Sequence, residues 1–348
     1  MSGRARRLGV PIAAFVTLAA LALLLPAFVS DFRAQQFAYV SIYLIALLGL
    51  NVLTGYTGQI SLGHGAFMAI GGYTTAILMA DHGVKDVWTI PVAALVAGLA
   101  GFLFGIPALR LSGLYLALAT FAVAVALPGL IKRFAGFTGG GQGINLFGTD
   151  ELTASLTPVT VLGQELSFNN WLYYLSTSIA LVLYVVAWLL LRGRTGRALR
   201  SVRDSETAAV SFGVSLARYK TLAFGVSAAY AGVAGSLFAI ATTFVNPDTF
   251  PIALSIFLLV GVVVGGLGSL VGMIAGAVFI HFMQTQWAQD AESVIPDWLP
   301  FLGDLDTDSP GAPALVFGGV LIALMFVLPD GVAGLLQRLW KAFARVRS

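Results

Sequence analysis

The sequence predicts an all-α, polytopic integral membrane protein with about ten (8–10) transmembrane helices and one cytoplasmic helix between them. Of its 348 residues, 58% are hydrophobic and only 10% are charged, whereas a soluble domain carries about 25% charged residues. The mean hydropathy of +0.90 agrees. The apolar runs are long and continuous, which favours helices over the alternating strands of a membrane β-barrel. Residues 1–348 are predicted to form one transmembrane domain.

The membrane crossings can be placed in order along the chain. Each is an apolar stretch close to the roughly 20 residues that a spanning helix needs. The predicted spans are residues 8–29, 36–54, 60–79, 88–109, 114–131, 171–191, 222–242, 252–284 and 314–328. The stretch 252–284 is too long for one crossing and is predicted to cross twice, as a broken helix pair. Residues 8–29 are long for a signal peptide and no A-x-A site follows them, so an uncleaved span is favoured.

The basic residues predict that both termini are cytoplasmic. With the N-terminus inside and 252–284 crossing twice, the inside segments are residues 2–7, Arg110, 192–221 and 335–348. The basic residues left outside are Arg33, Lys85, Lys132 and Arg133. This distribution obeys the positive-inside rule, and a single pass through 252–284 would break it by moving the basic tail outside. The short turn 110–113 also predicts that the spans on either side of it form an antiparallel hairpin.

A charged loop at 192–221 interrupts the apolar chain. Its charged residues are Arg192, Arg194, Arg197, Arg200, Arg203, Asp204, Glu206, Arg218 and Lys220. Apolar residues recur at helical spacing from 198 to 212, which predicts one short amphipathic helix. The predicted apolar side is Leu199, Val202, Ala209 and Phe212. The predicted surface pairs are Arg200 with Asp204 and Arg203 with Glu206. Such a helix either lies on the lipid headgroups or docks into a groove of a soluble partner.

Polar side chains and glycines alternate from 51 to 73, beside a span. The candidate residues for lining a translocation path are Asn51, Tyr56, Gln59, Ser61 and His64. Polar backbone at membrane depth persists only where it is buried in protein or lines a cavity. A broken helix that lines the path is one interpretation. The other is a polar turn at the inner surface, followed by close packing of a glycine-rich helix.

A second glycine-rich stretch lies in the middle of 252–284. The candidate packing or gate residues are Gly265, Gly266, Gly268 and Gly272. Steps of the type G-x-x-x-G, such as Gly268–Gly272, let two helix backbones approach closely. Helix packing is therefore the favoured interpretation, and a gate or pore lining is the alternative.

Catalytic chemistry finds little support in the sequence. The chain has no cysteine, which excludes disulfides, thiolate zinc sites and cysteine nucleophiles. His64, His82 and His281 lack the spacing of a metal site, and no G-x-S-x-G motif occurs. No G-x-x-x-x-G-K-[ST] motif occurs either, so hydrolysis of ATP by that route is not expected. The sequence thus predicts no catalytic residue, no metal and no cofactor bound by this chain.

Five motifs in order resemble one known family. They are LNVLTGYTGQISLGHGAFMAIGGYTTAIL (50–78), FTGGGQGI (137–144), RTGRALRSVRDSETAAVSFGVSLARYKTLAFGVSAAYAGVAGSLFA (194–239), VGGLGSLVGMIAGA (264–277) and LPDGVAGLL (328–336). Together they resemble the LivM-like permease subunits of branched-chain amino acid ABC importers. The resemblance implies a polytopic permease in a bacterial or archaeal plasma membrane.

The resemblance also implies a function for the charged loop. In importers of this kind the loop helix couples the membrane subunit to an ATPase. The residues implied in coupling are Arg200, Arg203, Asp204, Glu206, Ala208, Ala209 and Gly213. The general coupling signature has Glu-Ala-Ala, three residues and then Gly, but here Thr207 occupies the Glu position. Glu206 is one residue earlier and points about 100° away on a helix, which leaves its role open.

The implied partners are a second permease subunit, two cytoplasmic ATPase subunits that hold the ATP, and an extracytoplasmic binding protein. Permeases for urea or short amides have similar sequences, so the substrate stays open between these and amino acids. A different class, an ion-coupled secondary transporter or channel, predicts ionisable groups within spans. The predicted spans hold almost none.

Overall fold

The computed structural model describes residues 25–27, 29–146, 160–161 and 164–285, and between 318 and 338 residues 318, 319, 322, 326, 331–335 and 338. The helices are α1 Asp31–Leu50, α2 His64–His82, α3 Asp86–Ala108, α4 Gly113–Arg133, α5 Phe168–Arg192, α6 Arg194–Asp204, α7 Glu206–Ser211, α8 Leu216–Thr242, α9 Ile252–Gly265 and α10 Gly272–Thr285. A π-helical turn, Asn51–Gly55, extends α1. Short helical turns occupy Leu25–Ala27, Ala135–Thr138 and Pro247–Thr249.

The helices confirm a polytopic membrane fold. Within the described ranges, six helical segments are long and apolar enough to cross a membrane. They are Asp31–Gly55, Asp86–Ala108, Gly113–Arg133, Phe168–Arg192, Leu216–Thr242 and Pro247–Gly265. Helix α2 (19 residues) and the shorter helix α10 (14 residues) fall outside that set. The predicted spans 8–29 and 314–328 lie wholly or mostly outside the described residues, so the count of ten stays a prediction.

Helix α8 forms the centre of the core. It packs along α3, α2 and α1, and small residues line its faces. A side chain is impossible at Gly235, because a Cβ there would lie 1.9 Å from the carbonyl oxygen of Met68 on α2. The predicted hairpin of α3 and α4 is wrong: α3 packs on α8 and α2, and it has no extended contact with α4. The close fit of α3 against the small residues of α8 explains this choice.

Helices α9 and α10 confirm the broken pair predicted for 252–284. They pack against each other in antiparallel orientation. A Cβ on Gly272 would lie 1.9 Å from Gly265 O, and one on Gly276 would lie 2.2 Å from Gly261 O. These glycines therefore bring the two backbones into direct contact, as the packing interpretation predicted.

The ends of the helices gather in two groups that match the predicted alternation of direction. At one end, strand β1 (Ile144–Asn145) pairs antiparallel with β4 (Phe244–Val245), and Asp31 accepts hydrogen bonds from Ser167 and Asn169. Thr160–Val161 (β2) and Gln164–Glu165 (β3) form a small hairpin. At the other end lie α6, α7, the turn after α1 and the α9–α10 loop.

Candidate functional site

The charged loop forms two helices, α6 and α7, where the sequence predicted one. Ser205 separates them with an extended backbone (φ −164°, ψ 117°). Its side chain accepts a hydrogen bond from Ala208 N at 3.3 Å. Serine caps a helix N-terminus well because its oxygen replaces a missing backbone acceptor. The continuous helix was therefore wrong at Ser205, and the break turns α7 onto a new axis.

The apolar side of the predicted helix is only partly correct. Leu199, Val202 and Ala209 are buried against this chain's own helices. Phe212, in contrast, is 87% exposed, and Val210 is 54% exposed. The break at Ser205 explains the difference, because it removes Phe212 from the face that Leu199 shares with Val202. The exposed end of α7 therefore presents two apolar side chains that the described part of the chain leaves largely uncovered.

The predicted charge pairs are also wrong. Arg200 donates to the carbonyl oxygens of Leu191 at 2.7 Å and Gly196 at 3.0 Å, and thus ties α6 to the end of α5. Arg203 pairs with the adjacent Asp204 at 3.0 Å. The break at Ser205 removes the helical spacing between Arg203 and Glu206. Arg200 and Asp204 keep their spacing within α6, but the two carbonyl oxygens take the guanidinium group of Arg200 instead.

Glu206 instead pairs with Lys220 near the start of α8. The distance from Lys220 Nζ to Glu206 Oε1 is 2.7 Å, with the lysine side chain 7% exposed and the glutamate side chain 46% exposed. A buried ammonium group needs a compensating charge, because removal from water is costly. Lys220 was counted among the loop's basic residues but missed as a site residue. The signal was its position at the end of the loop, two residues before the apolar run that begins at Leu222.

The remaining coupling candidates lie at the surface. Ala208 and Gly213 are exposed, and the side chain of Asp204 is 67% exposed. Gly213 adopts φ +79° and ends α7 in the left-handed conformation that favours glycine. Together with Val210 and Phe212, these residues form the outer α7 surface. An exposed, partly apolar helical surface of this kind can enter a groove of another protein.

The polar segment after α1 is buried rather than open. Asn51 is fully buried, and its Oδ1 accepts from Gly268 N at 2.9 Å while its Nδ2 donates to Ser269 O at 3.2 Å. Residues 58–63 are not helical, so α1 and α2 are separated by a non-helical connection. A turn between two helices with close packing around it agrees with the second interpretation, a polar turn followed by a closely packed helix. Path lining by this segment stays a prediction.

His64 anchors the buried start of α2. Its Nε2 lies 2.9 Å from Ala46 O on α1, and its Nδ1 lies 3.5 Å from Ser227 Oγ on α8. The backbone nitrogen of Gly65 donates to Ser255 Oγ at 2.9 Å. These bonds join the start of α2 to three other helices. The Gly65 bond also satisfies one of the backbone donors that a helix N-terminus leaves unpaired.

The other path candidates share this environment. Ser61 is fully buried, and its hydroxyl accepts from Gly63 N at 3.4 Å. Gln59 is buried, and its Nε2 has no hydrogen-bond partner in the described part of the chain. Tyr56 lies near the guanidinium group of Arg200, 5.9 Å from the ring centre. Burial raises the pKa of the Tyr56 hydroxyl, and Arg200 and Arg203 oppose that rise only in part.

The family described as "Branched-chain amino acid transport system / permease component" matches residues 33–329. The chain belongs to this family of permeases. The match covers every helix from α2 to α10 and nearly all of α1, including the charged loop. No group of three His, Cys, Asp or Glu residues able to hold a metal occurs within the described ranges.

Individual relatives agree with the family. The high-affinity branched-chain amino acid transport system permease protein LivM of Escherichia coli K12 is 35% identical over 341 residues, which cover 91% of this chain and 73% of LivM. The LivM protein of Salmonella typhimurium LT2 is 36% identical, over 84% of this chain and 67% of that protein. A probable LivH permease of Methanocaldococcus jannaschii is 23% identical, over 89% and 93%. No solved structure matches the chain.

Proposed function

We propose that this chain is a transmembrane permease subunit of an ATP-driven importer for branched-chain or related amino acids. The observation that carries the proposal is the outer α7 surface, where Phe212 and Val210 project from a charged loop. Exposed aromatic side chains of this kind are typical anchors in protein interfaces. The family of the chain and the transport systems named for its relatives support the substrate class.

The proposal includes a defined set of partners. The relatives include LivM and LivH proteins, and both are named as permease proteins of branched-chain amino acid transport systems. A second permease of the LivH kind therefore completes the path with this chain. Two cytoplasmic ATPases bind ATP and contact the outer α7 surface, and an extracytoplasmic binding protein delivers the substrate. This chain is not an enzyme in the proposal.

The proposed orientation follows the positive-inside rule. The end of the molecule that holds α6, α7 and the α9–α10 loop faces the cytoplasm, and the β1–β4 end faces outward. ATP binding by the partners then favours one arrangement of α6 and α7 over another. Arg200 ties α6 to α5, and Glu206 ties α7 to α8, so these two spans move together with the loop helices. The movement opens a path through the membrane, and the segment 56–64 borders that path.

Affinity purification from the native membrane tests the proposal. A tag on this chain is expected to recover a second permease and ATPases in stable ratio. Phe212→Ser is expected to lose the ATPases while keeping the second permease, because the exposed phenyl group contributes nothing to the fold of this chain. Phe137→Ser, at a 72% exposed phenylalanine of the opposite end, is the matched control. Recovery of the chain alone, with transport that needs no ATP, contradicts the proposal.

A further inference from the structure

Arg203 reaches from α6 to the end of α1. Its Nη1 donates to the carbonyl oxygen of Gly55 at 3.1 Å, at the last residue of the π-helical turn. Its Nε and Nη2 donate to Asp204 Oδ1 at 3.1 and 3.0 Å. The guanidinium group is planar, so the Asp204 bonds fix its orientation and direct Nη1 at Gly55. Arg203 thus links a loop helix to a membrane helix through one backbone acceptor.

Two glycines from different segments make room for this side chain. Gly58 has φ +72°, and a Cβ there would lie 3.1 Å from Arg203 Cγ. Gly268, in the α9–α10 loop, has φ +76°, and a Cβ there would lie 3.3 Å from Arg203 Nη1. Both positions need glycine for the backbone conformation, and Gly268 also keeps the guanidinium group in place. Arg203 therefore lies between the turn after α1 and the α9–α10 loop.

Asn51 joins these two segments directly beside Arg203. Its side-chain bonds to Gly268 N and Ser269 O hold the α9–α10 loop against the π-helical turn. The fit is tight, since a Cβ on Gly55 would lie 2.5 Å from Gly268 N. Residues 55–58 and 266–269 therefore form one unit, which we name the inner junction. It belongs to three spans, α1, α9 and α10.

From these contacts we infer that Arg203 is a positioning residue that transmits movement of α6 to the inner junction. This inference rests on the proposed function, in which ATPases move α6 and α7. Arg200 and Glu206 tie the loop to α5 and α8, whereas Arg203 ties it to the inner junction. The glycine-rich motifs around 55–58 and 266–269 then serve the coupling path as well as helix packing. A π-helical turn suits this task, because such turns are frequent at functional sites.

The test uses the assembled transporter in proteoliposomes and two readouts. The first is amino acid uptake per ATP hydrolysed. The second is the labelling rate of a single cysteine, Leu267→Cys, at an exposed residue of the inner junction in a chain with no native cysteine. With Arg203 present, labelling at position 267 is expected to depend on nucleotide. With Arg203→Gln, uptake per ATP is expected to fall roughly tenfold, the size of an ordinary coupling between sites, and the nucleotide dependence is expected to vanish.

Matched controls separate this effect from general damage. Arg197→Gln removes an exposed arginine of the same helix and is expected to behave as the unmodified transporter. Gly268→Ala is expected to reproduce the Arg203→Gln result from the other side of the contact. Gly113→Ala changes a glycine of φ +55° with open space around it, so it has a similar backbone cost but no contact. If Arg203→Gln fails to assemble, the inference is tested by comparing Gly268→Ala with Gly113→Ala, using uptake per ATP and the labelling rate at position 267.

The inference is overturned if Arg203→Gln, or Gly268→Ala in its place, keeps uptake per ATP within about twofold and keeps the nucleotide response at position 267. The failure of the proposed function looks different. In that case the unmodified transporter itself shows no ATP-dependent uptake, and position 267 does not respond to nucleotide in any variant.

Discussion

Three charged side chains of the loop between α5 and α8 turn back towards this chain. Arg200 and Arg203 donate to backbone carbonyls of Leu191 and Gly55, and Glu206 pairs with Lys220. Sequence spacing assigned them to one another or to a partner. Their true acceptors lie up to 148 positions away, beyond the reach of any local pattern. At this scale the sequence pattern located the charged loop but did not predict the contacts of its side chains.

Glu206→Gln is predicted to destabilise the protein, because it leaves the ammonium group of Lys220 buried beside a neutral amide. The expected loss is about 1–2 kcal/mol, below that of a fully buried pair since Glu206 is half exposed. Thermal unfolding of the purified chain measures it. The double variant Glu206→Gln/Lys220→Met should recover part of the loss. Equal stability of Glu206→Gln and the unmodified chain would contradict the assigned pair.

Asn51→Ala is predicted to cost about 2–4 kcal/mol, since it leaves Gly268 N and Ser269 O without their buried partner. Asn51→Asp is the informative control. Asn51→Asp keeps the acceptor for Gly268 N but replaces the amide donor to Ser269 O and places an ionisable carboxyl group in a fully buried site, so it should also be less stable than the unmodified chain. The same unfolding assay ranks the three proteins, and an Asn51→Ala variant as stable as the unmodified chain would rule out this role.

At the scale of elements, the antiparallel pair α9–α10 depends on direct backbone contact. Gly272→Ala is predicted to destabilise it by about 1–3 kcal/mol, because the new methyl group would overlap Gly265 O. Gly129→Ala, within α4 and with open space around it, is the matched control. It should be neutral or stabilising by about 0.5–1 kcal/mol, the ordinary gain for a helix interior. Similar unfolding temperatures for both variants would refute the packing argument.

Some helices could be placed from the sequence alone, whereas one helix break and one helix pairing could not. Apolar length placed α1, α3, α4, α5 and α8, because burial in lipid needs a long apolar helix whatever its neighbours. The break at Ser205 was missed, since the apolar residues on both sides of it continue a helical spacing that a local serine cap overrides. The α3–α4 hairpin was wrong because a short turn limits the distance between helix ends but not their partners.

For the whole molecule, the grouping of helix ends agrees with the charge pattern. Segments predicted to lie on one side of the membrane meet in the structure, as Gly55, Arg203 and Gly268 do. The family was predicted from the sequence and is confirmed by the family match over 33–329. The path residues stay a prediction, because in the proposed function the path lies between two subunits and is not a property of one chain.

ATP-driven uptake by the reconstituted transporter tests the central claim most directly. Proteoliposomes are prepared with this chain, the second permease, the ATPases and the binding protein, and accumulation of radiolabelled leucine is followed with ATP inside. The account predicts accumulation that requires ATP and every component, and that is lost in Phe212→Ser but kept in Phe137→Ser. Uptake by this chain alone without ATP, or full ATP-driven uptake by Phe212→Ser, would contradict it.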